Sequence, residues 1–421
     1  MVFNDFASAW LGLLLAGCLI AFILGFIANK THFCTMGAVS DWVNLNHTGR
    51  MRSWLLAIAV TLAGVTTLEY FGITNFNTTY PPYRNGQLIW AENILGGILF
   101  GIGMTLAGGC GNKCLVRLGA GNLKSLLVFL LIGVIAYFML NPFPNSDQTL
   151  YSLLFYPWLH PLALNLGASQ DLGALVADEA HTDGMRLILG SLIAIILLFI
   201  VVLSADFRSS KDFALGGLGV GLCVLAAWYA SSQIKLDVDG QIYSLSQYYA
   251  EWDLLAESDS GKPASSAPLS TQSFTFINPI GQSIAYLASG LQAKLLTFGI
   301  LACLGVILGS LTWALISRSF KFEWFASIGD FFNHLIGATL MGLGGVLAMG
   351  CTIGQGITGV STLALGSILT LTSIIFASAL TMKIQFYRMM YEREANFFKA
   401  LSSSLVDLKL LPESMRRLKK V

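Results

Sequence analysis

Apolar residues arrive in long blocks broken by short polar turns, with neither the alternation of a half-buried strand nor the narrow stripe of a surface helix. Nine blocks are long enough, at about 17–25 residues, to cross a bilayer core of about 30 Å as helices. They lie near 10–28, 52–72, 91–109, 123–140, 185–204, 213–230, 292–317, 333–350 and 364–382. The pattern predicts an all-α, polytopic helical membrane protein of about nine spans. The first block lacks a preceding Lys or Arg and a small-residue cleavage site, so it is expected to be a span rather than a signal peptide.

Within that pattern one segment repeats. Residues 91–110, AENILGGILFGIGMTLAGGC, and 332–351, FNHLIGATLMGLGGVLAMGC, align without gaps at a constant offset of 241. The identities are Gly96/Gly337, Gly101/Gly342, Gly103/Gly344, Leu106/Leu347, Ala107/Ala348, Gly109/Gly350 and Cys110/Cys351. Each copy continues into a glycine-rich stretch and another span. Five spans separate the copies, so they are expected to point in opposite directions, as an inverted-topology internal repeat. Such repeats place a central site near the bilayer midplane, where interrupted helices meet. Gly97 and Gly101 are explained by close helix packing. The glycines that continue past each cysteine, Gly108, Gly109 and Gly111, then Gly350, Gly354 and Gly356, predict a chain that turns back as a re-entrant half-helix.

Composition sharpens the class. Of 421 residues, 55% are hydrophobic and 11% charged, against about 25% charged in a soluble domain. The net charge of +1 gives no footing for a nucleic-acid partner, but the placement of the charges is informative. With the N-terminus outside, most basic residues and the tail from Lys383 fall on the cytoplasmic side. Arg84, Arg186, Lys235, Lys262 and Lys294 remain outside. That division sets the expected orientation and four regions. Residues 1–140 form a first half, and 141–290 carry two spans with long outer loops. Residues 291–382 form the inverted second copy, and 383–421 a basic cytoplasmic tail expected to form a surface helix ending in R-R-L-K-K. Loop 141–184 has short apolar pieces suited to the membrane surface. Loop 231–290 contains E-S-D-S-G-K-P-A-S-S-A-P, with the composition of a flexible exposed segment.

The candidate chemistry is thiol chemistry. Cys18, Cys223 and Cys303 sit mid-span and read as small buried hydrophobes. Cys34, in T-H-F-C-T-M-G-A-V-S-D, together with Cys110, Cys114 and Cys351, stands at span ends beside glycine and polar residues. A buried neutral thiol is a weak donor that can meet an anion without trapping it, and its sulfur suits a soft ligand. Half-helix N-termini add N–H groups and partial positive charge. Lys113 and Arg117 either add charge at the inner mouth or anchor the loop. Cys110 and Cys114, four apart, share a face if helical. The Cys-x-x-x-Cys spacing is not a zinc pattern, and no cofactor or metal is expected. Gly101-Ile102-Gly103 lacks the preceding strand and acidic partner of a nucleotide fingerprint.

A-G-G-C-G-N-K-C-L-V-R-L-G-A-G-N-L-K-S-L, L-M-G-L-G-G-V-L-A-M-G-C-T-I-G-Q-G-I-T-G and H-F-C-T-M-G-A-V-S-D together resemble the YeeE/YedE-type sulfur transport family of bacterial inner-membrane proteins. The resemblance spans nearly the whole chain outside the two long outer loops. It implies a permease for a small inorganic sulfur compound, with thiosulfate foremost, passed between thiols at Cys34, Cys110 and Cys351. Secondary candidates are Cys114, Lys113, Arg117, Gly109, Gly111, Gly350 and Gln355. It also implies membrane lipid around the protein and a small cytoplasmic sulfur-carrier protein as a partner. Two alternatives stay open on the residues alone. One is a membrane enzyme handling sulfane sulfur or selenium through Cys110 and Cys114, the other a thiol-independent channel.

Overall fold

The computed structural model of the chain describes residues 1–252, 269–391 and 395–419. The spans are α1 (Phe6–Lys30), α3 (Gly49–Tyr70), α4 (Trp90–Leu106) and α6 (Leu123–Leu140), then α7 (Thr182–Val202), α8 (Lys211–Ser232), α10 (Phe298–Ile316), α11 (Ile328–Leu347) and α12 (Leu365–Met390). Among the shorter helices between them are α2 (Thr35–Leu45), α5 (Gly111–Gly119) and α9 (Ile277–Ala288), and the tail forms α13 (Phe397–Asp407). Eight of the described helices are long and apolar enough to cross a membrane, so the chain is a polytopic helical membrane protein. The expected ninth span, near 333–350, is the 20-residue α11 but is not among those eight. Asp330, Asn333, His334 and five glycines dilute its hydropathy. It can afford them because it packs between α4 and α6, with Gly337, Met341 and Gly344 buried.

Glycine sets how close these helices come. A Cβ on Gly103 would stand 2.6 Å from the Gly337 carbonyl oxygen, and one on Gly337 would stand 2.6 Å from that of Gly103. Gly96 and Gly344 make the corresponding pair, at 2.8 and 2.6 Å. α4 and α11 therefore run antiparallel with their backbones touching, and an offset of 241 carries one pair onto the other. Gly97 and Gly101 face the backbone of α12 at Thr370 and Ile374, the packing role read from the sequence. Close backbone approach substitutes here for the hydrophobic drive that lipid cannot supply.

The same offset recurs in the backbone. α4 ends on Gly108 at φ +71° with Gly109 N–H donating to Met104 O (2.9 Å). α11 ends on Met349 at φ +54° with Gly350 N–H donating to Gly345 O (2.8 Å). Both are left-handed helix stops closed by a six-to-one hydrogen bond. Beyond Cys351 the chain makes a π-helical turn over Gly354–Gly359, which takes up one extra residue. The next matched features are accordingly shifted by 242: positive φ at Gly121 and Leu363, then the N-caps Asn122 of α6 and Ala364 of α12.

One end of the bundle carries short strands. β2 (Thr79–Tyr80) pairs in parallel with β7 (Thr271–Gln272), and β3 (Asn85–Leu88) is antiparallel to β4 (Leu164–Ser169). β1 (Val2–Phe3) joins the hairpin of β5 (Lys235–Val238) and β6 (Gln241–Ser244). Beneath them lies a buried ion network. Arg84 clasps Glu69 through both terminal nitrogens (2.5 and 2.9 Å) and donates through Nε to Thr362 O (2.9 Å). Arg186 reaches Asp171 (2.6 Å), Glu69 (3.0 Å) and Asp183 (3.0 Å). Burial alone would raise the Asp171 carboxyl, but the Arg186 hydrogen bond and the positive charge of Arg84 hold it down at about 2.

The two outer regions follow the sequence expectation to different degrees. The apolar pieces of loop 141–184 do form short surface helices, Leu150–Leu154 and Tyr156–Leu159, with Leu153, Leu154, Tyr156 and Trp158 exposed. Region 231–290, however, is not one exposed loop. Residues 273–281 are almost wholly buried, and α9 packs against α6, because S-F-T-F-I-N-P-I offers apolar side chains beneath its polar spacing. The E-S-D-S-G-K-P-A-S-S-A-P stretch lies outside the described residues. The tail holds a helix, but it ends at Asp407 rather than on R-R-L-K-K; Arg416 is tied to Asp407 and Glu413, and the last lysine of that run is outside the described residues.

Candidate functional site

Cys34, Cys110 and Cys351 occupy equivalent local positions, each capping the start of a short helical segment. Their carbonyls accept the first intrahelical bonds, from Ala38, Cys114 and Gln355 N–H at 3.0, 2.9 and 2.8 Å. An N-cap is ordinarily Ser, Thr, Asp or Asn, whose oxygen satisfies the free N–H groups of the first turn. Sulfur does this more weakly. The Cys34 and Cys351 sulfurs accept from Gly37 and Gly354 N–H at 3.4 Å, while Cys110 makes no capping bond. Each site thus retains N–H groups with little claimed bonding, at the partly positive end of a helix.

The three ends converge. The Cys110 thiol lies within electrostatic range of both Cys34 and Cys351, and the Thr352 hydroxyl, buried without a hydrogen-bond partner among the described residues, lies beside it. All three cysteines are buried, with 8%, 2% and 0% of their surface exposed for Cys34, Cys110 and Cys351. Phe276 N–H is directed at the Cys351 sulfur, and the Tyr83 ring stands nearby. Trp54 links two of the turns, stacking on Phe33 at 5.0 Å and lying against Gly356. Gly109, Gly111 and Gly350 are hemmed in: a Cβ would meet the Lys113 side chain at 2.9 Å, Ile277 at 2.9 Å and the Thr275 hydroxyl at 3.1 Å.

The polar groups around this cluster are unusual. Buried side-chain donors and acceptors are nearly always paired. Here Thr35 Oγ1, Trp54 Nε1, Asn112 Oδ1, Thr275 Oγ1 and Gln355 Oε1 have no hydrogen-bond partner among the described residues. Gln355 uses only its amide, donating to Ala348 O at 2.5 Å. Each of these groups adjoins a cysteine turn in sequence or in space. The arrangement offers donors and neutral thiols in one narrow, mostly apolar place, which suits a small anion carrying a soft atom.

Cys114 stands apart from this set. Its thiol donates to Ser125 O at 2.9 Å, which ties α5 to α6. Lys113 lies within range of Cys34, Cys110, Arg117 and Arg50, so it does sit over the cluster's basic side. Arg117 lies across Gly108 beside His334. Arg50 and His32 join that basic group; Arg50 did not stand out in the sequence, because nothing in its spacing ties it to Cys110. Arg50 is held by Asp41 at 3.3 Å. The described cysteines are all free, and no cluster of three or more His, Cys, Asp or Glu among the described residues is placed to hold a metal.

Comparison with known proteins places this arrangement. A family model described as sulphur transport matches residues 30–380, which takes in all three cysteine turns. The thiosulfate transporter TsuA of Escherichia coli K12 is 24% identical over 349 residues, covering 82% of this chain and 87% of that protein. The thiosulfate transporter TsuA of Spirochaeta thermophila is 25% identical over 367 residues, covering 86% and 94%.

Proposed function

The chain belongs to the sulphur transport family, and from that premise we propose that it carries thiosulfate across the membrane along the path marked by Cys34, Cys110 and Cys351. The observation that carries this reading is the convergence of three N-cap cysteines, two from segments entering at the basic end and one from the strand-bearing end. Thiosulfate joins oxygens that suit N–H and O–H donors to a terminal sulfur that suits thiols. The weak S–H donor lets the ion step on rather than stay, which passage requires. Lys113, with Arg117 and Arg50, raises the local anion concentration at one mouth.

The path is built as an inverted repeat of re-entrant half-helices, a reading supported by the matched helix stops at Gly108 and Met349 and the reciprocal glycine contacts of α4 and α11. The protein lies in the bacterial inner membrane with its N-terminus outside. The basic end then faces the cytoplasm and offers a surface for a small acidic sulfur-carrier protein. Transport without chemistry is favoured over a persulfide or disulfide relay, because the Cys114 thiol is committed to Ser125 O.

Purified protein in liposomes should take up labelled thiosulfate, and Cys110→Ala and Cys351→Ala should each reduce uptake by about tenfold or more. Uptake unchanged in both variants would remove the thiols from the path. A sulfur adduct on Cys110 after substrate exposure, seen in the intact mass, would favour the enzyme instead.

A further inference from the structure

The offset that aligns Cys110 with Cys351 also carries Phe33 onto Phe274 and Cys34 onto Thr275. The structure gives that coincidence a physical counterpart. Cys34 opens α2, the 11-residue helix before α3, and Thr275 stands two residues ahead of α9, a 12-residue helix before α10. α2 enters from the basic end and α9 from the strand-bearing end, where Gln272 pairs with Tyr80.

Thr275 is 6% exposed, and its hydroxyl has no hydrogen-bond partner among the described residues. It is pressed into the Cys351 turn: Cβ atoms built on Gly354 and Gly350 would stand 2.5 and 3.1 Å from its Oγ1. The next residue, Phe276, directs its N–H at the Cys351 sulfur. A buried hydroxyl with nothing to bond, held open by two glycines beside a thiol, is placed to meet something that passes.

We propose that Thr275 is a fourth substrate-contacting group, the hydroxyl counterpart of Cys34, which takes an oxygen of the passing oxyanion beside the Cys351 thiol. This rests on the transport reading above. A hydroxyl makes a shorter and stronger hydrogen bond to an anionic oxygen than a thiol does. The strand-bearing entrance therefore holds the oxygen end of the ion, while the cysteines beyond it take the terminal sulfur. The pairing selects an oxyanion that also carries a soft sulfur over a plain one.

The test is uptake of labelled thiosulfate into liposomes by Thr275→Val, which keeps the shape and removes the hydroxyl, and by Thr275→Ser, which restores it. The Val variant should lose about tenfold in uptake and the Ser variant stay within about threefold of the original. Uptake by Thr275→Val equal to the original, in a preparation where Cys351→Ala is inactive, overturns this inference and leaves the transport reading standing. An original protein that moves no thiosulfate overturns both. If the Val variant is not recovered folded, Thr275→Cys decides. A small maleimide should modify position 275, read by peptide mass, and thiosulfate should slow that modification several-fold. No modification there, or modification unaffected by thiosulfate, equally overturns the proposal.

Discussion

Cys110 and Cys114 sit one turn apart on the same short helix, yet their sulfurs have different employment. Cys110 looks into the cluster, and Cys114 looks back to Ser125 O. Replacing Cys114 with Ala removes one hydrogen bond and leaves a small void, a loss of about 1–2 kcal/mol. Cys114→Ala should lower the melting temperature by a few degrees while thiosulfate uptake persists. Uptake lost with the melting temperature unchanged would mean that Cys114 lies on the path after all. The sequence can place both cysteines on one helix but cannot say which carbonyl lies behind α5, since Ser125 belongs to the following span. Trp54 and Thr275 were missed for a related reason: their importance lies in bonds that are not made, and no spacing encodes that.

At the scale of elements, the spans were readable because bilayer thickness fixes their length, and the α4/α11 likeness because its glycines fall at matched positions. α9 was not readable. S-F-T-F-I-N-P resembles a loop until its apolar residues are seen filling the space beside α6 and α11. Two consequences can be measured. Gly103→Leu or Gly337→Leu should abolish recovery of monodisperse protein, because a Cβ at 2.6 Å strikes backbone that cannot move aside. Gly329→Ala, with its nearest neighbour at 3.8 Å, should be tolerated. The second concerns the clamp at the strand-bearing end. Asp171 is fully buried and titrates low, so its stabilisation is present above its unfolded value of about 3.9 and is lost as pH falls toward about 2. The loss is on the order of 2 kcal/mol. Thermal unfolding followed from pH 7 down to pH 2.5 should show this drop, and Asp171→Asn should flatten it. Arg186→Ala strands Asp171, leaves Glu69 to Arg84 alone, and should cost about 3–5 kcal/mol.

For the whole molecule, the count of spans matters as much as their packing. α1, α3, α4 and α6 make four on one side of the chain's middle, and α8, α10, α11 and α12 make four on the other. Two blocks of four joined directly would enter the membrane facing the same way. In the inverted arrangement proposed above, α7 turns the second block over, yet it is the least buried of the eight membrane-suited helices, with 22% of its window inside the protein. Deleting 182–202 should move a C-terminal reporter to the opposite face of the membrane, and it removes the Arg186 clamp on Glu69 and Asp171 as well. Re-supplying an apolar helix of the same length that keeps Arg186 and Gly190 should restore the original face, and with it assembly of the two halves around their shared thiols.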